Sequence, residues 1–129
     1  MAWRYEQMTG TLRDNRGAVV AQGYSGRDKG LNNPAAQGVP NVGPIPVGTY
    51  DIATAMDHPT CGPLSMRLLP APGTNTLGRD GFLIHGDTAS MDHTASHGCI
   101  IVNRLAREIV SNSPDRLLVV VTGEQHAHS

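Results

Sequence analysis

Apolar positions along the chain come in short runs punctuated by Gly, Pro, Asn and Asp, and they rarely recur at helical spacing. Trp3, Tyr5 and Gln7 alternate with polar neighbours. This predicts a first strand over residues 3–12 with those three side chains on one side. Asp14-Asn15-Arg16-Gly17 is a turn signal, and residues 18–24 read as the returning strand of a hairpin. Pro44-Ile45-Pro46-Val47-Gly48-Thr49-Tyr50 leads into a strand ending near Ala55. Leu64, Met66 and Leu68 alternate as in a half-buried strand, residues 81–85 form a short apolar run, and residues 116–122 read as a buried strand. One segment alone has the helical period. Over residues 104–111, Leu105, Ala106, Ile109 and Val110 form an apolar stripe, Asn103 supplies an N-cap, and Pro114 stops the helix. The expected fold is mainly β, with one short helix.

Composition adds limits to this picture. With 129 residues the chain fits a single domain, 1–129, large enough to bury a core without disulfide staples or a structural metal. Ten basic against eleven acidic residues leave a net charge of -1, which gives no support to a nucleic-acid or polybasic membrane partner. The longest apolar run, residues 117–121, falls far short of a membrane span. Residues 1–7 contain no apolar signal-peptide core, so the expectation is synthesis in the cytoplasm without a cleaved leader. Residues 25–42 are rich in Gly, Asn and Pro and predict a long loop of the kind that often carries function. Residues 123–129, with His126 and His128, read as a solvated tail.

The chemistry concentrates in two segments, Phe82-Leu83-Ile84-His85-Gly86-Asp87 and Ser96-His97-Gly98-Cys99-Ile100-Ile101. A strand delivers His85 to its end, a polar loop follows, and Cys99 precedes the helix. A thiol attacks only as thiolate, and at neutral pH a free cysteine is mostly protonated. An imidazole nearby removes the proton, and the ring needs a partner to fix its tautomer: Ser96, the Gly86 carbonyl or Asp87. Backbone amides at Gly98 and Cys99 could receive an oxyanion, with glycine allowing the tight turn this requires. A lone cysteine or histidine is ordinarily a packed or hydrogen-bonded residue. The compound pattern points instead to nucleophilic catalysis.

These segments resemble the signature of the YkuD-type L,D-transpeptidases: His-Gly, a loop, then Ser-His-Gly-Cys and an aliphatic residue. Pro46-Val47-Gly48-Thr49-Tyr50 is similar to the family's Pro-x-Gly-x-aromatic segment. The resemblance implies a β-sandwich with a long loop capping the site. It makes Cys99 the nucleophile and His85 the base, with Ser96 or the Gly86 carbonyl as orienting member. His97 lines the site, and Gly98, Cys99 and Gly86 supply backbone to the oxyanion region. Ile101 stands where the family usually has Arg or Asn, and Asp87 where it has a hydroxyl residue; Asp87 is a weaker candidate for substrate contact. With residues 30–34 and 43–46, these departures look like a divergent branch, the L,D-transpeptidase-like antibacterial effectors of type VI secretion. The implied reaction is acyl transfer on peptidoglycan tetrapeptide stems. It cleaves the meso-diaminopimelate–D-Ala bond or exchanges D-amino acids in the periplasm of a target bacterium. An immunity protein would be the partner, and no cofactor is implied.

Three rival readings carry distinct signatures. A housekeeping L,D-transpeptidase would use the same residues for cell-wall cross-linking. A zinc site could draw on His85, Asp87, His93, His97 and Cys99, but none of the spacings is a standard zinc motif, and no metal is expected. An inactive peptidoglycan-binding module would not need both His85 and Cys99. Outside the motif, Cys61 reads as structural, with a reversible Cys61–Cys99 disulfide as the sharper possibility. Arg79 and Asp80 could meet a stem carboxylate or amine, with a solvated turn as the plainer reading, and are not carried as site residues.

Overall fold

The computed structural model describes residues 2–87 and 97–123. The strands are β1 (Ala2–Glu6), β2 (Thr11–Arg13), β3 (Val19–Gln22), β4 (Tyr24–Ser25), β5 (Gly48–Ile52), β6 (Met56–His58), β7 (Gly62–Pro70), β8 (Leu83–His85), β9 (Ile100–Ile101) and β10 (Leu117–Val121). The single helix among the described residues longer than a 3-10 turn is α1 (Arg104–Asn112). The fold is mainly β with one short helix after the motif, as the patterning predicts.

The hydrogen-bonded order is β3-β2-β1-β10-β5-β7-β8-β9-β4, with β6 added on β7. Its two ends, β3 and β4, are separated in the chain by Gly23 alone, so the sheet must bend round until its edges nearly meet. One core fills the space inside. It joins Tyr5 and Leu12 to Tyr50, Met66, Ile84 and Ile100, and α1 covers it with Ala106 and Val110. A second, smaller cluster of Tyr24, Leu83, Cys99 and Ile101 lies on the other face of β8, β9 and β4.

Two strands expected to run unbroken are each divided, and glycine is the reason in both. The first stops at Glu6 and resumes at Thr11 after a turn at Gly10, whose φ is 72°. The second breaks at Gly23, where a Cβ would lie 1.9 Å from the Ile101 carbonyl oxygen. Gly10 and Gly23 pack backbone to backbone, with Gly23 N–H donating to Gly10 O at 2.7 Å. Trp3, Tyr5 and Gln7 are nevertheless buried together, and the 14–17 turn closes the β2–β3 hairpin.

The helix starts as expected, with the Asn103 side chain accepting from Ala106 N–H at 2.8 Å. Its buried face differs from the expected stripe. Ala106, Arg107 and Val110 point inward, whereas Leu105 and Ile109 are exposed at 65% and 43%. An arginine occupies the place expected of an apolar side chain, which matters for the site. β10 is likewise buried on one face only, through Leu118 and Val120. Among the described residues no helix is long and apolar enough to cross a membrane.

Candidate active site

β8 and β9 run parallel, with Ile84 opposite Ile100 and His85 opposite Ile101. Side chains alternate along a strand. Ile84 and Ile100 therefore enter the main core, and Leu83, His85, Cys99 and Ile101 share the opposite face. That face forms one side of a cleft of about 590 Å³ whose lining includes His85, Cys99, His97, Asp87 and Gly86. The structure thus brings together five of the residues singled out in the sequence. The next, Gly98, is buried immediately before Cys99, and Ser96 lies outside the described residues.

His85 is 4% exposed, and its Nδ1 lies 2.8 Å from the Gly86 carbonyl oxygen. A carbonyl only accepts, so Nδ1 carries the hydrogen and Nε2 presents a lone pair when the ring is neutral. Of the orienting partners proposed from sequence that lie among the described residues, Gly86 and Asp87, it is the Gly86 carbonyl that meets the ring. Burial holds the imidazole below its ordinary pKa; the Gly86 bond opposes this, and the positive charge of Arg107 adds to it.

Burial pushes the Cys99 thiol up to about 11, while the Leu83 N–H and the Arg79 charge pull it down. The Leu83 N–H donates to Sγ at 3.3 Å. With one pKa raised and the other lowered, both shifts favour the neutral thiol and the neutral imidazole.

Asp87 accepts a 2.6 Å hydrogen bond from the Tyr24 hydroxyl, which ties the end of β8 to β4. His97 is exposed, with Nε2 at 2.9 Å from Arg27 Nη1. Arginine only donates, so this contact occupies the Nε2 lone pair. Ile101, where a polar residue was the family expectation, is 2% exposed and packs between His85 and Tyr24 in register.

Arg79 corrects the solvated-turn reading. It is 8% exposed, its Nη1 donates to Pro44 O at 2.9 Å and to Gln37 O, and its Nη2 donates to Gly43 O at 3.0 Å and His97 O at 3.1 Å. Its guanidinium also lies over the Phe82 ring, 5.4 Å from the centroid. One side chain therefore fastens the loop before β5 to the residue before Gly98. Gly98 has φ 123°, and a Cβ there would stand 2.4 Å from Arg79 Nη2. Ser25, fully buried, adds a second fastening: its hydroxyl donates to Gly98 O at 3.3 Å and accepts from Ile45 N–H at 2.9 Å. The carbonyls that Arg79 serves lie far from it in sequence, so no local signal marked it. Arg107 is similar. It reaches from α1 to Pro63 O at 2.8 Å, and its Nη2 would lie 2.8 Å from a Cβ at Gly86.

The cleft lining also includes His58, Cys61 and Arg67, which the sequence did not mark as a group. Cys61 and Cys99 are both free thiols. Burial raises the Cys61 thiol as well, against the pull of Arg67. Among the described residues no three His, Cys, Asp or Glu side chains are grouped to hold a metal ion, and His93 lies outside them.

In comparison with known proteins, residues 19–122 match the family model described as the Tlde1 domain. No curated protein matches the chain. The matched stretch runs from β3 to the end of β10 and contains the whole cleft.

Proposed function

Since the chain belongs to the Tlde1 domain family, a family of type VI secretion effectors, we propose that it is an antibacterial effector acting on peptidoglycan tetrapeptide stems. Its reaction is cleavage of the bond between meso-diaminopimelate and the terminal D-Ala, with exchange of D-amino acids as the companion outcome. The observation that carries this reading is the placement of His85 and Cys99 on one face of adjacent strands, with His85 Nδ1 fixed on the Gly86 carbonyl.

In this reading Nε2 of neutral His85 takes the Cys99 proton as Sγ attacks the carbonyl of the L-centre. Coupling the two events avoids forming a buried thiolate at rest, which the raised thiol pKa opposes. The oxyanion that develops faces the amides of the Gly98–Cys99 turn, and Arg79 and Ser25 keep that turn in place. Collapse of the intermediate breaks the C–N bond. The leaving amine takes the proton from His85, D-Ala departs, and a thioester on Cys99 remains. Water then attacks the thioester with His85 as base, releasing a tripeptide stem and restoring the thiol. If the amine of a D-amino acid attacks instead, the stem is exchanged rather than shortened. Both outcomes remove donor stems needed for cross-linking.

Delivery into the periplasm of a target cell, and protection of the producer by an immunity protein, follow from the same reading. The test is digestion of purified tetrapeptide muropeptides, followed by mass. Loss of one D-Ala with wild type, and intact stems with Cys99→Ala, is the expected result. Intact tetrapeptides with both would overturn the proposal.

A further inference from the structure

The cleft lining carries a second group of side chains with a chemistry of its own. On β7, Arg67 is the register partner of Leu83 on β8. Extending the β8–β9 register by one residue places Leu83 beside Cys99, and the Leu83 N–H to Sγ bond agrees with this. Arg67, Leu83 and Cys99 therefore form a row across three strands on the cleft face. Arg67 and Cys99 are two strand spacings apart, roughly 10 Å between backbones. An arginine side chain spans much of that distance.

Arg67 is exposed, and its guanidinium makes no hydrogen bond or ion pair with any of the described residues. This is unlike Arg79, Arg107 and Arg116, whose guanidinium groups bind backbone carbonyls. His58, also on the cleft, accepts the amide hydrogens of Thr60 and Cys61 on Nδ1, at 3.1 and 3.0 Å. Its other nitrogen, Nε2, must then carry hydrogen, so the ring offers a donor there. The row thus ends in an unspent guanidinium with a second N–H donor in the same cleft. A planar fork with five donors matches a carboxylate.

We infer that Arg67, assisted by His58, forms a carboxylate-binding subsite that reads the free C-terminus of the stem. The inference rests on the acyl-transfer reading of Cys99 and goes beyond it. In the leaving residue the carboxylate is attached to the carbon beside the scissile nitrogen. With the scissile carbonyl at Cys99, the methyl group of a terminal D-Ala lies over Leu83 and its carboxylate reaches toward Arg67. The subsite would select stems ending in one free residue and reject stems prolonged at that carboxylate. The same chemistry exists on the free carboxylate of the diaminopimelate side chain, so the two sources need separate probes.

The experiment compares three synthetic tetrapeptide stems: unmodified, C-terminally amidated, and amidated on the diaminopimelate side chain. Each is cleaved by wild type, Arg67→Gln and Arg67→Lys, and each is titrated calorimetrically against the same proteins carrying Cys99→Ala. For the unmodified stem, Arg67→Gln should raise KM by about 10- to 100-fold with kcat little changed, the loss expected of one charge-assisted hydrogen bond. Arg67→Lys should recover part of it. For the C-terminal amide, wild type should already be weak, and Arg67→Gln should cost nothing more. The side-chain amide should behave like the unmodified stem. If the side-chain amide alone abolishes the dependence on Arg67, the terminal-carboxylate assignment is overturned. The same follows if Arg67→Gln weakens all three stems equally or leaves all unchanged. Absence of cleavage by wild type, together with binding that still depends on Arg67 and the terminal carboxylate, would overturn the acyl-transfer reading and leave the subsite standing.

Discussion

Arg79 and Arg67 both stand close to Cys99 and differ in what their guanidinium groups touch. Arg79 is buried and serves the carbonyls of Gln37, Gly43, Pro44 and His97, so its donors are consumed inside the protein. Arg67 is exposed, and its donors are free toward the cleft among the described residues. Burial of a charge is tolerated only when hydrogen bonds replace its water. Arg79 meets that condition by tying the loop before β5 to the turn that carries the nucleophile. Arg67 stays in water until something else replaces it. The same residue type is scaffold on one side of the cysteine and available for recognition on the other.

The comparison breaks most sharply at Arg79. Arg79→Ala leaves buried carbonyls without donors and should destabilise the fold by about 3 kcal/mol or more. Urea unfolding of the variant measures this, and a loss near zero would mean that the buried guanidinium is not a fastening. Gly98→Ala sharpens the same point from the backbone side, because its φ of 123° is one that L side chains rarely adopt and its Cβ would strike Arg79. Displacing the Gly98–Cys99 turn should cut kcat by about 100-fold on tetrapeptide stems, with a smaller change in KM. Unchanged kcat would dissociate the turn from catalysis.

The pH profile tests a third arginine. His85 must be neutral to accept the thiol proton, so kcat/KM falls as pH drops through the imidazole pKa, which burial and Arg107 place below 6.5. Arg107→Met should move that acid limb to higher pH, because it removes a positive charge that disfavours imidazolium. A limb that stays in place would show that Arg107 acts only through its bond to Pro63. The smallest effect belongs to Arg67. Arg67→Gln should change stability by no more than about 0.5 kcal/mol, as expected for an exposed side chain without a hydrogen bond or ion pair to the described residues. A larger loss in urea would remove the contrast with Arg79.

How much of this was legible in the sequence differs between pattern and placement. The alternation of Trp3, Tyr5 and Gln7, the 14–17 turn and the Asn103 cap are local signals, and the structure follows them. The two broken strands were not legible, because Gly10 and Gly23 interrupt them through contact with each other and with Ile101. On α1 the apolar pattern chose Leu105 and Ile109, but the face turned to the core carries Arg107 instead. At the site, His85, Gly86, His97 and Cys99 were visible because they are contiguous in two short motifs. Arg79 and His58 were not, since what gives each its role is brought to it by the fold. Arg67 had a partial signal: between Met66 and Leu68, an alternating strand turns it away from the core.

One feature of the sheet has a consequence for how the domain is assembled in time. β10, the last strand among the described residues, lies between β1 and β5, and its pairing with both joins the first three strands to those that carry the cleft. Such pairing between sequence-distant segments is slow to nucleate, since a long loop must close before the contacts repay it. During synthesis, then, the strand pairing that joins β1 to β5 waits until β10 has left the ribosome. A nascent chain arrested before Leu117 would have His85 and Cys99 without the completed sheet that supports them. Closure of the sheet is in this sense a late event, decided by β10.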